Sequence, residues 1–138
     1  MLRVVLDTNV LVSAVISEGK PRELLRKGIS KEFCIVTSDL LLKELDTVLR
    51  RPKFKTDEDE IHRIILALMQ VAEVVDVVSK LGMVEEDPKD NMVVETAFDG
   101  NTDFIVSGDG HLLALKSFRG IKIVDVKQML EALTEFDH

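Results

Sequence analysis

The sequence predicts a three-layer α/β/α sandwich built on a five-stranded parallel sheet, in a single domain covering residues 1–138. Two observations carry this. Short, continuous apolar runs such as Val4-Val5-Leu6 and Ile121–Val124 alternate with segments of helical period, and strands apolar on both faces belong to parallel sheets covered by helices. The length points the same way. A chain of 138 residues and 15.5 kDa fits one domain and buries roughly two-thirds of its unfolded surface without a disulfide or structural metal.

The elements follow in order. Leu2–Leu6 reads as a first strand ending at Asp7. Val10–Ile16 reads as a helix stopped by Gly19, and Pro21 opens a second helix to Lys27, closed by Gly28. Phe33–Thr37 is the second strand. Ser38 is the expected N-cap of a helix that runs to Arg51, before Pro52. Asp57-Glu58-Asp59-Glu60 suits the positive end of the next helix, whose apolar face is Ile61, Ile64, Ile65, Leu68 and Ala72. Val74–Val78 is the third strand. A polar loop, Ser79–Lys89, leads to a helix over Asp90–Asp99 that Gly100 closes. Phe104–Ser107 is the fourth strand, Gly110–Ser117 a short helix, Ile121–Val124 the fifth strand and Val126–Phe136 the last helix.

Composition excludes several classes. Apolar residues make up 46% of the chain and mean hydropathy is +0.12, unlike a disordered chain. The apolar runs fall far short of the ~20 residues needed to span a membrane, and no signal-peptide pattern is seen. No membrane association is expected. Cys34 is the only cysteine and lies inside an apolar run, which suits a reducing cytoplasm. His62, His111 and His138 are scattered, so no zinc cluster is expected. The net charge of -7 divides unevenly: residues 1–55 carry +4 and residues 56–138 carry -11. So acidic a protein binds nucleic acid only through a local basic patch or bound cations.

In parallel sheets ligands bind beyond the carboxyl ends of the strands. Four acids come from four successive connections at that edge: Asp7 after the first strand, Glu44 in the helix after the second, Asp90 opening the helix after the third, and Asp109 after the fourth. Helix capping is the plain alternative for Asp7 and Asp109. Asp90 is different. At about 100° per residue it lies at the centre of the face formed by Val93, Val94, Ala97 and Phe98, where a carboxylate is costly unless paired or metal-bound. Glu44 falls on the shoulder between Leu40 and Val48, an ordinary place for a glutamate. Clustered carboxylates repel, and a hard divalent cation resolves the repulsion while sharing its sites with substrate phosphates. Metal-assisted phosphodiester hydrolysis is the expected chemistry.

These residues resemble a family. Val4-Val5-Leu6-Asp7-Thr8-Asn9-Val10-Leu11-Val12-Ser13 is similar to the opening motif of PIN-domain nucleases. Glu44 in its Leu-rich helix, Asp87-Pro88-Lys89-Asp90-Asn91, and Ile105-Val106-Ser107-Gly108-Asp109 match the later motifs in order, and Lys122–Leu130 resembles the closing strand and helix. The branch it most resembles comprises toxins of prokaryotic toxin–antitoxin systems. The resemblance implies a strand order of 3-2-1-4-5, with Asp7 and Asp109 facing each other. It implies that Asp7, Glu44, Asp90 and Asp109 form an acidic Mg²⁺ or Mn²⁺ site, with Asn9 and Ser107 orienting ligands or water from behind. The implied activity is endonucleolytic cleavage of single-stranded RNA, with a possible antitoxin partner. Many relatives have a further acid where His111 stands; His111 is expected to be a solvent residue. Asp87 before Pro88 reads as a turn residue, and Asp103 as a cap or turn residue at the opposite edge.

Substrate grip falls to the basic half. Lys43, Arg50 and Arg51 are the candidate backbone contacts, with Lys53 and Lys55 beyond them and Lys20, Arg22, Arg26 and Lys27 around the second helix. With no Trp or Tyr, and Phe mainly in apolar runs, base stacking is not expected to dominate. The face of helix 61–72, with the resemblance, favours a homodimer. A phosphatase of the haloacid dehalogenase type would need Asp where Asn9 stands, and a dinucleotide binder would need glycines in the first turn. The alternative of another class is a PIN-like module that binds RNA or a partner protein without cutting.

Overall fold

The computed structural model describes residues 1–81 and 88–136. Asp87, His138 and most of the expected polar loop lie outside the described residues. The elements are β1 Arg3–Leu6, α1 Thr8–Ile16, α2 Lys20–Ile29, β2 Cys34–Thr37, α3 Asp39–Leu49, a 3₁₀ turn Pro52–Phe54, α4 Glu58–Val71, β3 Glu73–Val74, α5 Pro88–Asp99, β4 Phe104–Val106, α6 Gly110–Leu115, β5 Ser117–Phe118, β6 Ile121–Val124 and α7 Val126–Phe136.

The sheet order is β3-β2-β1-β4-β6-β5. Its first five strands are parallel and take the expected order. A sixth strand corrects the count: Ser117–Phe118 pairs antiparallel with Ile121 and Lys122 of β6. Two residues carry too little pattern to be seen as a strand in sequence.

The pleat divides the core. Val4 and Leu6 face a cluster built by α1, α2, α3, α4 and α7, with Leu24, Leu45, Leu49, Ile61 and Met129 buried in it. Val5 faces the other way, with Val36, Ile105 and Ile123, against Val93, Val94 and Ala97 of α5 and Leu112 of α6. Alternation along a strand is what sends neighbours to opposite layers. The apolar face of α4 packs on the chain's own core through Ile61, Ile64, Ile65 and Leu68. It is therefore satisfied within the molecule, and the apolar surface left on that helix is Leu66 and Met69.

Several boundaries differ from the expectation. The third strand is only Glu73–Val74, because its partner β2 ends at Thr37, whose carbonyl accepts the Val75 N–H (2.9 Å). Beyond it the backbone N–H groups of Val78 and Ser79 donate to the Asp99 carboxylate at 2.8 and 2.9 Å, so the chain turns onto α5. Gly28 does not close α2. It lies inside the helix, where a Cβ would come within 2.6 Å of Ile35 Cδ1 and 2.9 Å of Phe33 Cζ. α5 does end at Asp99 with Gly100 closing it, its N–H donating to Thr96 O (2.9 Å), but the left-handed residue that follows is Asn101, at φ 50°, a conformation Asn tolerates well.

The opposite edge is tied by Arg3. Its guanidinium donates to Gly100 O through Nε (3.0 Å) and pairs with Glu73, and its N–H donates to Asp103 Oδ2 at 2.9 Å. Asp103 is thus a turn residue away from the acids, as expected.

Candidate active site

Asp7 and Asp109 come together because β1 and β4 are neighbours. Leu6 is in register with Val106, and the Asp7 N–H donates to Val106 O (2.9 Å). Asp7 caps α1, with Oδ1 accepting the Thr8 N–H at 2.7 Å. Its Oδ2 accepts from the Ser107 hydroxyl, also at 2.7 Å, and Ser107 Oγ accepts the Asp109 N–H at 3.0 Å. One buried hydroxyl therefore couples the two acids through its donor and its acceptor. Asp109 in turn caps α6, its Oδ1 accepting the His111 N–H (2.7 Å). Capping and cleft-lining turn out to be compatible roles for both acids.

Glu44 arrives on the second turn of α3 and Asp90 on the first turn of α5. The two helices are clasped by Ser38 and Thr96, whose hydroxyls lie 2.9 Å apart and are fully buried. Ser38 Oγ also accepts the Leu41 N–H, the capping bond of α3 (3.4 Å). The incoming side of α5 is held by its own acids: Glu95 accepts the Leu81 N–H at 2.6 Å, while Asp99 accepts from Val78 and Ser79. The Ser79 hydroxyl, with these backbone donors, holds the Asp99 carboxyl below the usual range.

All four acids line one cleft of about 360 Å³. Asp7 is 8% exposed and Asp90 4%, while Glu44 and Asp109 are half-buried. Asn9 is exposed at the mouth of this cleft and, with Ser13, also borders a neighbouring hollow lined by Ser107, Val126 and Lys127. His111 is exposed and outside the lining.

Of the three candidate substrate cations, only Arg51 lines the cleft. Arg50 is turned away into ion pairs with Asp46 and, at 3.4 Å, Glu58; the Asp46 bond raises its pKa. Lys43 is exposed and outside the lining, as its offset from Glu44 around α3 requires. Arg22 is used structurally, donating to the carbonyls of Ala14 and Val15 at the end of α1 (2.9 and 2.8 Å). Arg22, Arg26 and Lys27 border a separate hollow together with Glu18, Glu23 and Glu32.

Sequence reasoning missed the apolar side of the cleft, formed by Val12, Ile16, Val48 and Phe54. The available signal was Arg51-Pro52-Lys53-Phe54-Lys55, an aromatic set among cations. Among the described residues, no three Asp, Glu, His or Cys side chains form a ready-made metal cage. The donor set still fits a hard cation, because Mg²⁺ keeps several waters and takes only one or two carboxylates beside substrate phosphates.

The family model of the PIN domain matches residues 3–111, a span that contains all four acids. The chain belongs to the PIN-domain family. PIN domains are nucleases, and PIN nucleases generally use divalent metal ions. An uncharacterized protein of Methanocaldococcus jannaschii, MJ1680, is 28% identical to this PIN domain over 119 residues, covering 83% of this chain and 76% of the relative. Two solved structures share the fold at 15% identity. VapBC2 from Rickettsia felis, bound to a DNA fragment from their promoter, superposes with a TM-score of 0.63 over 90% of this chain and 98% of its own. PAE2754 from Pyrobaculum aerophilum gives 0.66 over 97% and 90%. No helix among the described residues is long and apolar enough to cross a membrane.

Proposed function

We propose that this PIN domain is a Mg²⁺- or Mn²⁺-dependent endoribonuclease that cleaves single-stranded RNA in the cytoplasm, as the toxin of a toxin–antitoxin pair. The observation that carries the reading is the convergence of Asp7, Glu44, Asp90 and Asp109 on one cleft that also presents Arg51. Among Asp7, Glu44, Asp90 and Asp109, one or two carboxylates would hold the cation directly and the others would act through its bound waters. When bound, such an ion supplies an activated water and neutralises charge on the phosphodiester.

The chain's own part is orientation and charge. Ser107 fixes the plane of the Asp7 carboxylate by donating to Oδ2, and ties that acid to the loop of Asp109. The Asn9 amide, at the mouth of the cleft, would orient water or a phosphate oxygen. Arg51 would offset the RNA backbone beside an acidic centre.

An antitoxin partner and a homodimer belong to the same reading. They are supported by the resemblance to the toxin branch and by the fold shared with VapBC2. Leu66 and Met69 of α4 offer exposed apolar surface for such contacts.

The test is cleavage of a broad set of labelled single-stranded RNAs with Mg²⁺ or Mn²⁺, and with EDTA. Cleavage that requires the metal is expected. Equal cleavage in EDTA would overturn the metal dependence. Binding without any cleavage would favour a non-catalytic RNA-binding module.

A further inference from the structure

The cleft has two chemically different ends. One carries the carboxylates. The other is built where α3 gives way to the 3₁₀ turn: Arg51 and Phe54 line it, and Val12, Ile16 and Val48 continue its apolar wall. The turn is fixed by the Phe54 N–H donating to Arg51 O (3.0 Å) and the Lys55 N–H to Pro52 O (3.1 Å). Lys55 follows in the left-handed region at φ 52°. Phe54 packs on the core yet keeps ring surface in the cleft, with the Lys53 ammonium 5.0 Å from its centroid. Arg50 is occupied by Asp46 and Glu58, so of this adjacent pair it is Arg51 that the cleft receives.

We propose that this end is a nucleotide subsite: the base next to the scissile phosphodiester lies against Phe54 and the Val12–Ile16–Val48 wall, and Arg51 takes that nucleotide's phosphate. The proposal rests on the ribonuclease reading above. A single strand presents flat apolar faces and anionic groups in alternation, which matches an apolar wall beside a guanidinium. Contact of a base with an aromatic ring tolerates many sequences, since every base has a π-face. Arg51 also counters the repulsion that the acids impose on an approaching phosphate.

The experiment compares wild type with Arg51→Ala, Phe54→Leu and Arg63→Ala, the last an exposed α4 arginine outside the cleft lining. Binding of a labelled mixed-sequence single-stranded RNA is followed by fluorescence anisotropy with Ca²⁺ in place of Mg²⁺. Cut sites are mapped with Mg²⁺. Arg51→Ala is expected to weaken binding about 5–10-fold and to reduce the slope of log K against log salt by about 0.7, one phosphate contact on a single strand. Phe54→Leu is expected to keep its Tm within a few degrees, weaken binding about 5-fold and redistribute the cut sites. Arg63→Ala should stay within about 2-fold of wild type, by the same measure of an uninvolved charge.

If wild type cuts RNA while Arg51→Ala binds as tightly as Arg63→Ala, the subsite is overturned and the ribonuclease reading stands. If Arg51→Ala weakens binding but Phe54→Leu leaves cut sites and affinity unchanged, the base wall is overturned. A wild type that neither binds nor cuts RNA overturns the ribonuclease reading, and the subsite with it. Because the Arg51 side chain is exposed, its variant remains informative even if Phe54→Leu unfolds.

Discussion

Ser38 and Thr96 share a buried hydrogen bond of 2.9 Å between the helices that carry Glu44 and Asp90. Removing Thr96 Oγ1 leaves the buried Ser38 hydroxyl with only its long capping bond to the Leu41 N–H, at a cost of about 1–3 kcal/mol. Thr96→Val should therefore lower the urea midpoint, and Thr96→Ser, which keeps the hydroxyl, should restore most of it. Activity should follow the hydroxyl as well, because the clasp sets the spacing of the two acids. Equal midpoints for Thr96→Val and wild type would refute this.

Asp7→Asn and Asp90→Asn should each lower RNA cleavage by at least ~100-fold, since each would remove charge from the proposed metal site. Ser107→Ala leaves both acids in place but removes one of the two bonds that orient the Asp7 carboxylate and the tie to the Asp109 backbone, so a smaller loss of about 10-fold is expected. Initial rates on one labelled RNA decide the order. A Ser107→Ala loss greater than that of Asp90→Asn would reverse the assignment.

Metal removal gives a second reading of the same acids. Clustered carboxylates repel when no cation is bound, so in EDTA at neutral pH Asp90→Asn should melt at or above the wild-type temperature. Added Mg²⁺ should raise the wild-type Tm more than the mutant's, because only ligand bound to the native state stabilises it. Differential scanning fluorimetry suffices. A mutant that melts lower in EDTA and responds fully to Mg²⁺ would show Asp90 to be structural.

Acid should release the strap that Asp99 holds. Its carboxyl is held below the usual Asp range chiefly by the Ser79 hydroxyl, then by the Ser79 and Val78 N–H groups. A lowered folded pKa means stability that is fully present above the unfolded value and lost as pH falls through the folded one. Wild type should thus melt above Asp99→Asn at pH 6, and the gap should shrink as pH falls through and below the usual Asp range. An unchanged gap at pH 2.5 would rule out the carboxylate as its source.

Gly28→Ala should be destabilising even though alanine is the better helix former. Helix propensity gains about 1 kcal/mol, but overpacking a filled core costs about 1–3 kcal/mol, and Ile35 stands 2.6 Å from the new Cβ. A net loss of about 1 kcal/mol in urea titration is expected, with RNA cleavage unchanged. A gain in stability would mean that Ile35 moves aside freely.

Much of this molecule was legible in sequence because parallel topology is a strong constraint. Four acids after four successive strands must share one edge, so Asp7, Glu44, Asp90 and Asp109 could be grouped before any coordinates. What a sequence does not carry is tertiary pairing. Arg50 and Arg51 are adjacent and alike, yet Asp46 and Glu58 withdraw one and leave the other to the cleft. Val74–Val78 has strand composition, but β2 runs out of partners at Thr37 and Val78 ends 81% exposed. Phe54 follows a basic run that carries no sign of its neighbours, and it is the 3₁₀ turn that brings it to the same cleft as Val48.

Both margins of the sheet are only two residues long, Glu73-Val74 on one side and Ser117-Phe118 on the other. The second is bracketed by Lys116 and Arg119, both at positive φ, which bend the backbone away from the strand direction. The more apolar strands sit between these margins; β1 and β4 are paired on both sides, while β2 and β6 meet the short margin strands along only part of their outer sides. A second molecule arriving in solution meets only a two-residue strand at either margin, and the residues flanking one margin are cations. Short, kinked, charged margins are how β-rich proteins resist zipping together. The same layout that sets the acids side by side at the sheet's centre thus guards the folded chain against fibrous aggregation.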